Sequence, residues 1–265
     1  MDHDYTPYLM AAITWARQAG SRQLDFFRSR HLEMYTKSNA NDIVTAADRE
    51  SEHIILDSIR RDYPEHSILS EEAGVIESTT ETDSVWQWVV DPLDGTTNFS
   101  QGLPIFTVSI ALRHRGRTVV GVVYAPYLNE LFHAVLHGGA FLNGHAIQCS
   151  QKTEWSTAVL GTGMPYDKAV NPDNNLDNVS RIAPQVRGVR RLGSAALDLC
   201  YVAAGFFDGY WELNLNPWDV AAGELIASEA GARTGRFRSD RGESVYAATP
   251  SIAPKLLRRL NRPGH

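Results

Sequence analysis

The sequence predicts an α/β (α+β) fold built from stacked layers of helix and sheet. Three observations carry this expectation. Apolar residues recur with helical spacing in some segments and as short strand-like runs in others, and the two kinds interleave along the chain. The runs 106–112, 118–124 and 130–135 read as an antiparallel meander. The run Val85–Val90 reads as a buried strand that opens into an acidic loop, Asp91-Pro92-Leu93-Asp94-Gly95-Thr96-Thr97.

Taken in order, Thr6-Pro7 reads as an N-cap with proline at the first helical position. Leu9, Ile13, Ala16, Gly20, Leu24 and Phe27 then mark one apolar helix face. A short strand is expected over 32–36 and a polar turn over 38–42. A second helix begins after Thr45 and turns Ile54, Ile55 and Ile59 inward before Tyr63-Pro64. A strand over 66–69 leads into Glu71 and Glu72. The stretch 73–83 is polar, acidic and aperiodic, and is expected to be a mobile loop. The meander turns at Arg115-Gly116. A second layer begins over 155–161. Ser194 caps a helix over 195–204 that Gly205 stops. A strand follows over 207–213, and Asn216-Pro217 opens a helix that runs to Ala230 and stops at Gly231.

The 265 residues suit one large unit or two that share a core, with a soft boundary near residue 150. A region 1–150 would hold the acidic loop, and 151–265 would complete the site. The net charge of −6 gives no general attraction to nucleic acid or to an anionic membrane. No apolar stretch reaches the length of a membrane span. Cys149 and Cys200 form neither a disulfide framework nor a zinc site. The N-terminus lacks the pattern of a signal peptide. Together these lead to the expectation of a cytoplasmic protein.

The acidic loop carries chemistry. Two carboxylates at a strand end suit hard divalent cations, which prefer oxygen ligands. Gly95 lets backbone N–H groups approach an anion, and Thr96 and Thr97 add hydroxyls. A chain this acidic needs local positive charge to hold a phosphate ester, and bound cations would supply it. Other hydrolase patterns are missing: there is no Gly-x-x-x-x-Gly-Lys loop, no His-x-x-x-His pair and no Gly-x-Ser-x-Gly elbow. Read locally, Thr45-x-x-Asp48 is a capping box and Asp219 a helix-start acid. Glu212 and Lys37, read alone, are ordinary surface charges.

The segment Asp91-Pro-Leu-Asp-Gly-Thr-Thr-Asn-Phe99 resembles the first signature of the inositol monophosphatase family. Trp218-Asp219-Val-Ala-Ala-Gly223 with Glu229-Ala-Gly231 resembles the second. Matching pieces stand in family order at Lys37, Asp42 to Asp48, Ser70-Glu71-Glu72, Gly161-Thr-Gly163 and Gly193-Ser-Ala195. This resemblance implies an αβαβα sugar-phosphatase fold and a Mg²⁺-dependent, lithium-sensitive phosphatase of inositol monophosphate with two to three Mg²⁺ ions. It assigns the metals to Glu71, Asp91, Asp94, Asp219 and the Leu93 carbonyl. It makes Asp48 and Thr96, with Glu71, the groups that prepare water. It places substrate against Asp94, Gly95, Thr96, Gly193, Ser194, Ala195, Glu212 and Asp219, and gives Lys37 a weak electrostatic role. A small phosphorylated polyol is the implied partner, and a homodimer is expected. Phosphatases of fructose 1,6-bisphosphate, 3′-phosphoadenosine 5′-phosphate or histidinol phosphate are alternatives on the same metal chemistry. A regulatory binding protein on the same fold is another.

Overall fold

The computed structural model describes residues 3–29, 34–36, 43–78 and 85–260. In chain order the helices are α1 (Thr6–Phe26), α2 (Ala46–Asp62), α3 (Thr96–Ser100), α4 (Leu176–Ile182), α5 (Ala195–Ala203), α6 (Pro217–Glu229) and α7 (Ala253–Leu257). The strands are β1 (Met34–Thr36), β2 (Ile43–Thr45), β3 (Ser67–Ser70), β4 (Gly74–Ile76), β5 (Trp86–Asp94), β6 (Thr107–His114), β7 (Arg117–Ala125) and β8 (Glu130–Val135). They continue as β9 (Ala140–Leu142), β10 (His145–Ile147), β11 (Val159–Thr162), β12 (Gly188–Arg190), β13 (Gly209–Leu215), β14 (Arg233–Arg238) and β15 (Glu243–Ala248).

Strands β3 to β10 form one mixed sheet in the order β10-β9-β8-β7-β6-β5-β3-β4, in which β3 and β5 run parallel and the other neighbours antiparallel. Strands β11 to β15 form a second sheet, ordered β12-β11-β13-β15-β14. Helices α1 and α2 pack on one face of the first sheet, where Trp15, Ile55, Ile59, Trp88 and Ile110 are buried together. Helices α5 and α6 lie between the sheets, in a core that includes Val89, Val123, Leu199, Ile226 and Val245. Residues of α4 and α7 cover the far face of the second sheet around Leu160 and Trp211. The layers therefore run α, β, α, β, α, as the family resemblance implied. Helix α6 is buried on two sides, which is why it reads as apolar nearly all round.

Several local expectations need correction. The N-cap of α1 is Tyr5, not Thr6, and the Thr6 N–H donates to Asp4 Oδ1 at 2.9 Å. The buried face of α1 is Ala12, Trp15, Ala16, Ala19, Gly20 and Gln23, while Leu24 is exposed. Close approach decides this: a Cβ at Gly20 would stand 2.7 Å from the Tyr124 ring. Small side chains make up most of this face, with Trp15 packed among them against Trp88 and with Leu9 and Ile13 partly buried beside them. Within the expected loop at 73–83, Gly74–Ile76 pairs as a strand with β3; residues 79–84 lie outside the described residues. So do the turn at 38–42 and Lys37.

The meander holds, with a two-residue turn at Arg115 (φ 52°) and Gly116 (φ 78°), the left-handed pair that tight hairpins favour. Gly205 (φ 74°) and Gly231 (φ 89°) follow the ends of α5 and α6 in left-handed conformation, as their helix-stop reading required. Cys149 and Cys200 are free and buried. Among the described residues no helix is long and apolar enough to cross a membrane.

Candidate functional site

Strand β5 does not stop at Val90. It continues to Asp94, with a register shift against β6 between Asp91 and Asp94. Pro92 has no N–H to give a ladder, so the irregularity falls where the strand can accept it. The shift leaves Asp91 and Asp94 at the rim of the sheet. Pro92 is pinned from behind, because its carbonyl accepts from Gln23 Nε2 at 2.7 Å. Asp91 Oδ1 accepts from the Leu93 N–H at 3.0 Å.

Gly95 then turns the chain with φ 98° into α3. A Cβ there would stand 2.9 Å from the Ile105 carbonyl and 3.3 Å from that of Gly193, so glycine is required on two counts. The Thr96 hydroxyl lies 2.9 Å from Asp48 Oδ1 and 3.1 Å from the Leu93 carbonyl. Asp48 Oδ2 meanwhile accepts from the Thr45 N–H at 2.8 Å and the Thr45 hydroxyl at 2.5 Å. The capping box is real, and its acid reaches the acidic loop with the other oxygen.

Asp94 Oδ2 accepts from the Ser194 hydroxyl at 2.7 Å and the Ala196 N–H at 2.8 Å. The N–H groups of Ala195 and Ala196 at the start of α5 are therefore spent on Asp94 and that of Leu197 on the Ser194 hydroxyl, while Ser194 and Ala195 still line the cavity. Asp219 sits in the first turn of α6, where Oδ2 accepts from the Asn216 N–H at 2.7 Å. Glu71 follows β3, and its N–H donates to the Val90 carbonyl at 3.2 Å. Glu212 is no surface acid. It is 9% exposed on β13 and accepts from the Tyr210 hydroxyl at 2.5 Å.

These groups act on one another. Burial, then Glu71, Asp94 and Asp219, push Asp91 well above the carboxylate range. Burial and then Asp94 raise Asp219 in the same way. Burial lifts Asp94 to about 6 against the hydrogen bonds from Ser194 and Ala196. It lifts Asp48 to about 6 against those from Thr45 and Thr96, and Glu212 to about 7. Asp94 and Asp219 keep some surface open to the cavity, yet protein atoms crowd them closely enough that water screens them poorly.

The cavity holds about 310 Å³ and is lined by Asp94, Gly95, Gly193, Glu212 and Asp219 among others. Sequence reasoning gave no role to Asn98, whose Nδ2 donates to the carbonyls of Ile105 (2.8 Å) and Leu192 (2.7 Å) and so ties α3 to the approach of α5. It also passed over Gln23 behind Pro92. The signal for Asn98 was its place inside the first signature; buried Gln23 had none.

The donor set fits a hard divalent cation. It consists of carboxylate oxygens, which hard cations prefer. Among the described residues no Lys or Arg pairs with Asp91, Asp94 or Asp219, so their mutual repulsion is left for a cation to relieve. Among those residues, no three acidic, His or Cys side chains already close around one point. Asp91, Asp94 and Asp219 are instead each turned to a donor of the protein itself.

Comparison with known proteins places the chain in a family. The family model described as the inositol monophosphatase family matches residues 4–262. Nus factor SuhB of Pasteurella multocida is 43% identical over 96% of both chains, and Nus factor SuhB of Escherichia coli K12 is 40% identical over 96% of both. The crystal structure of extragenic suppressor protein suhB from Bartonella henselae superposes with a TM-score of 0.88 at 37% identity, covering 97% of this chain and 99% of that one. Inositol monophosphatase from Anabaena superposes with a TM-score of 0.85 at 37% identity, covering 97% and 96%. The chain belongs to the inositol monophosphatase family.

Proposed function

We propose that this chain is a Mg²⁺-dependent phosphomonoester hydrolase that releases phosphate from a small phosphorylated polyol, inositol monophosphate foremost. The observation that carries the reading is that Glu71, Asp94 and Asp219 lie near enough to Asp91 to raise its pKa, beside the Asp48–Thr96 pair, with Asp94 and Asp219 lining the cavity. Glu71, Asp91, Asp94, Asp219 and the Leu93 carbonyl would hold two to three Mg²⁺ ions. When bound, these neutralise phosphate charge, lower the pKa of water and steady the leaving oxygen.

Thr96 points its hydroxyl hydrogen at Asp48 and keeps its lone pairs for a water. The water's proton moves to Thr96 as Thr96 passes its own to Asp48 Oδ1. The water oxygen then forms a bond to phosphorus in line with the breaking ester bond. The departing alkoxide takes a proton from solvent, so no covalent intermediate with the protein is needed. Gly95 and Thr96 N–H groups face the phosphate. Gly193, Ser194, Ala195 and Glu212 face the polyol, and Glu212 accepts from its ring hydroxyls.

The test is phosphate release from myo-inositol 1-phosphate with and without millimolar Mg²⁺, beside fructose 1,6-bisphosphate, 3′-phosphoadenosine 5′-phosphate and histidinol phosphate. Turnover strongest on the inositol ester supports the substrate. Turnover strongest on another ester keeps the chemistry and moves the substrate.

A second reading adds a regulatory role. Relatives 40–43% identical carry the name Nus factor. A protein partner recovered at stoichiometric level, equally by an inactive Asp94→Asn variant, would support such a role here. The reading has no need of general attraction to nucleic acid, which the net charge of −6 does not provide.

A further inference from the structure

Residues 163–175 form a loop without regular secondary structure, and its first part, Gly163 to Tyr166 with Lys168, lines the cavity. The two ends of this loop are tied together. Asn175 Nδ2 donates to the Gly163 carbonyl at 2.7 Å and to the Thr162 hydroxyl at 3.0 Å, and its Oδ1 accepts from Trp211 Nε1 at 2.8 Å. Compact loops with joined ends are often functional. This one carries Tyr166 and Lys168 into the cavity lining. Tyr166 is 58% exposed and stands near enough to Glu71, Asp219, Asp94 and Asp91 to feel their negative charge.

No ladder holds the middle of this loop, but two arginines do. Arg238, at the end of β14, donates through Nη1 to Asp173, with an ion-pair distance of 2.8 Å. Arg241, in the turn between β14 and β15, reaches Asp167 Oδ1 through Nη2 at 2.5 Å and the Asp173 carbonyl through Nη1. Both guanidinium-bearing side chains are only 9% exposed. Asp167 in turn accepts from Asn171 Nδ2 at 3.0 Å, so the clasp orders the loop beyond its own contacts. The same turn presses on the opposite wall. A Cβ at Gly242 would stand 2.8 Å from Asn214 Oδ1 and 3.0 Å from the Leu215 carbonyl, and both residues line the cavity. One turn therefore braces two walls, and the hydrolytic step described above uses none of its residues.

We propose that Arg238 and Arg241 are positioning residues for substrate selection: their clasp on Asp173 and Asp167 sets where Tyr166 and Lys168 stand over the polyol end of the cavity. The proposal rests on the cavity being the substrate site, as read above. Arginine suits the task, because its planar fork engages two partners in a fixed geometry that a lysine ammonium does not reproduce. Phosphate chemistry at the far end of the cavity is left to the acids, so loss of the clasp affects recognition of the alcohol portion first.

The experiment compares the full-length wild type with Arg241→Ala, Arg241→Lys and Arg238→Ala. One readout needs no activity: the rate of trypsin cleavage after Lys168, identified by fragment mass. Cleavage tracks local opening, and a released loop is expected to be cut roughly tenfold faster in Arg241→Ala. The second readout is KM for myo-inositol 1-phosphate against that for p-nitrophenyl phosphate. A positional error of about 1 Å can cost on the order of a hundredfold, so KM for the polyol ester rises by several-fold or more while kcat on the aryl ester is kept. Arg241→Lys falls between. Equal cleavage rates together with an unchanged KM ratio would overturn the proposal. If the wild type turned over neither ester, the hydrolase reading would fall, and the trypsin comparison would still decide the clasp. Should Arg241→Ala not fold, Asp167→Asn removes the same pair from the loop side and carries the same expectation.

Discussion

At Asp48, one oxygen closes the cap of α2 and the other meets the Thr96 hydroxyl. Local sequence supports only the first role, because capping needs a partner three residues away, whereas the Thr96 contact spans 48 residues and depends on the fold. Glu212 teaches the same point. In the sequence it is one acid among many; in the structure it is buried against Gly163. A Cβ at residue 163 would stand 1.8 Å from Glu212 Oε1. Gly163→Ala must therefore displace that carboxylate. Both it and Glu212→Ala are expected to raise KM for inositol phosphate more than for an aryl phosphate, with kcat on the aryl ester little changed. Steady-state kinetics on the two esters check this, and an equal effect on both would remove Glu212 from polyol contact.

Among the elements, α6 matters most to the layering, because it touches both sheets and α5. Its approach to β7 leaves no room at Gly121, where a Cβ would stand 2.8 Å from the Ala222 carbonyl. Gly121→Ala forces backbone against side chain in a filled core. It is expected to destabilise the protein by about 1–3 kcal/mol, the usual cost of overpacking, read as a lower denaturant midpoint with unchanged slope. Helices α5 and α6 were legible because Ser194, Gly205, Asn216-Pro217 and Gly231 punctuate them. Strands β9, β10, β12, β14 and β15 and helices α4 and α7 were not foreseen. The three-residue strands are too short to show a period. Strand β14, Arg-Thr-Gly-Arg-Phe-Arg, lacks an apolar run, since Arg236 pairs with Glu224 and Glu243, and Arg238 with Asp173 and Asp240. Such pairing is invisible to periodicity. Apolar spacing alone points to a displaced face of α1, because close fit to Tyr124, not apolarity, turns Gly20 inward.

At the scale of the whole molecule, the first sheet draws on residues 67–147 and the second on 159–248. We propose that the regions 1–150 and 151–265 unfold together. The α5–α6 core is common to both, and the candidate site needs Asp91 from one and Asp219 from the other. A single calorimetric transition, with van't Hoff and measured enthalpies equal, is the expected result; two separated transitions would establish independent domains. The fold class and most of the acidic cluster were legible because short motifs with fixed spacing carry them. The arrangement of the cavity wall was not, since it depends on contacts such as Arg241 with Asp167 across 74 residues. The most direct test of the central claim is Mg²⁺-dependent phosphate release from myo-inositol 1-phosphate by the wild type and by Asp94→Asn. Turnover should require Mg²⁺, and kcat should fall by at least about a hundredfold in the variant, comparable to losing one strong charge-stabilising contact. Near-normal turnover in Asp94→Asn, or release by the wild type that ignores Mg²⁺, would contradict the account.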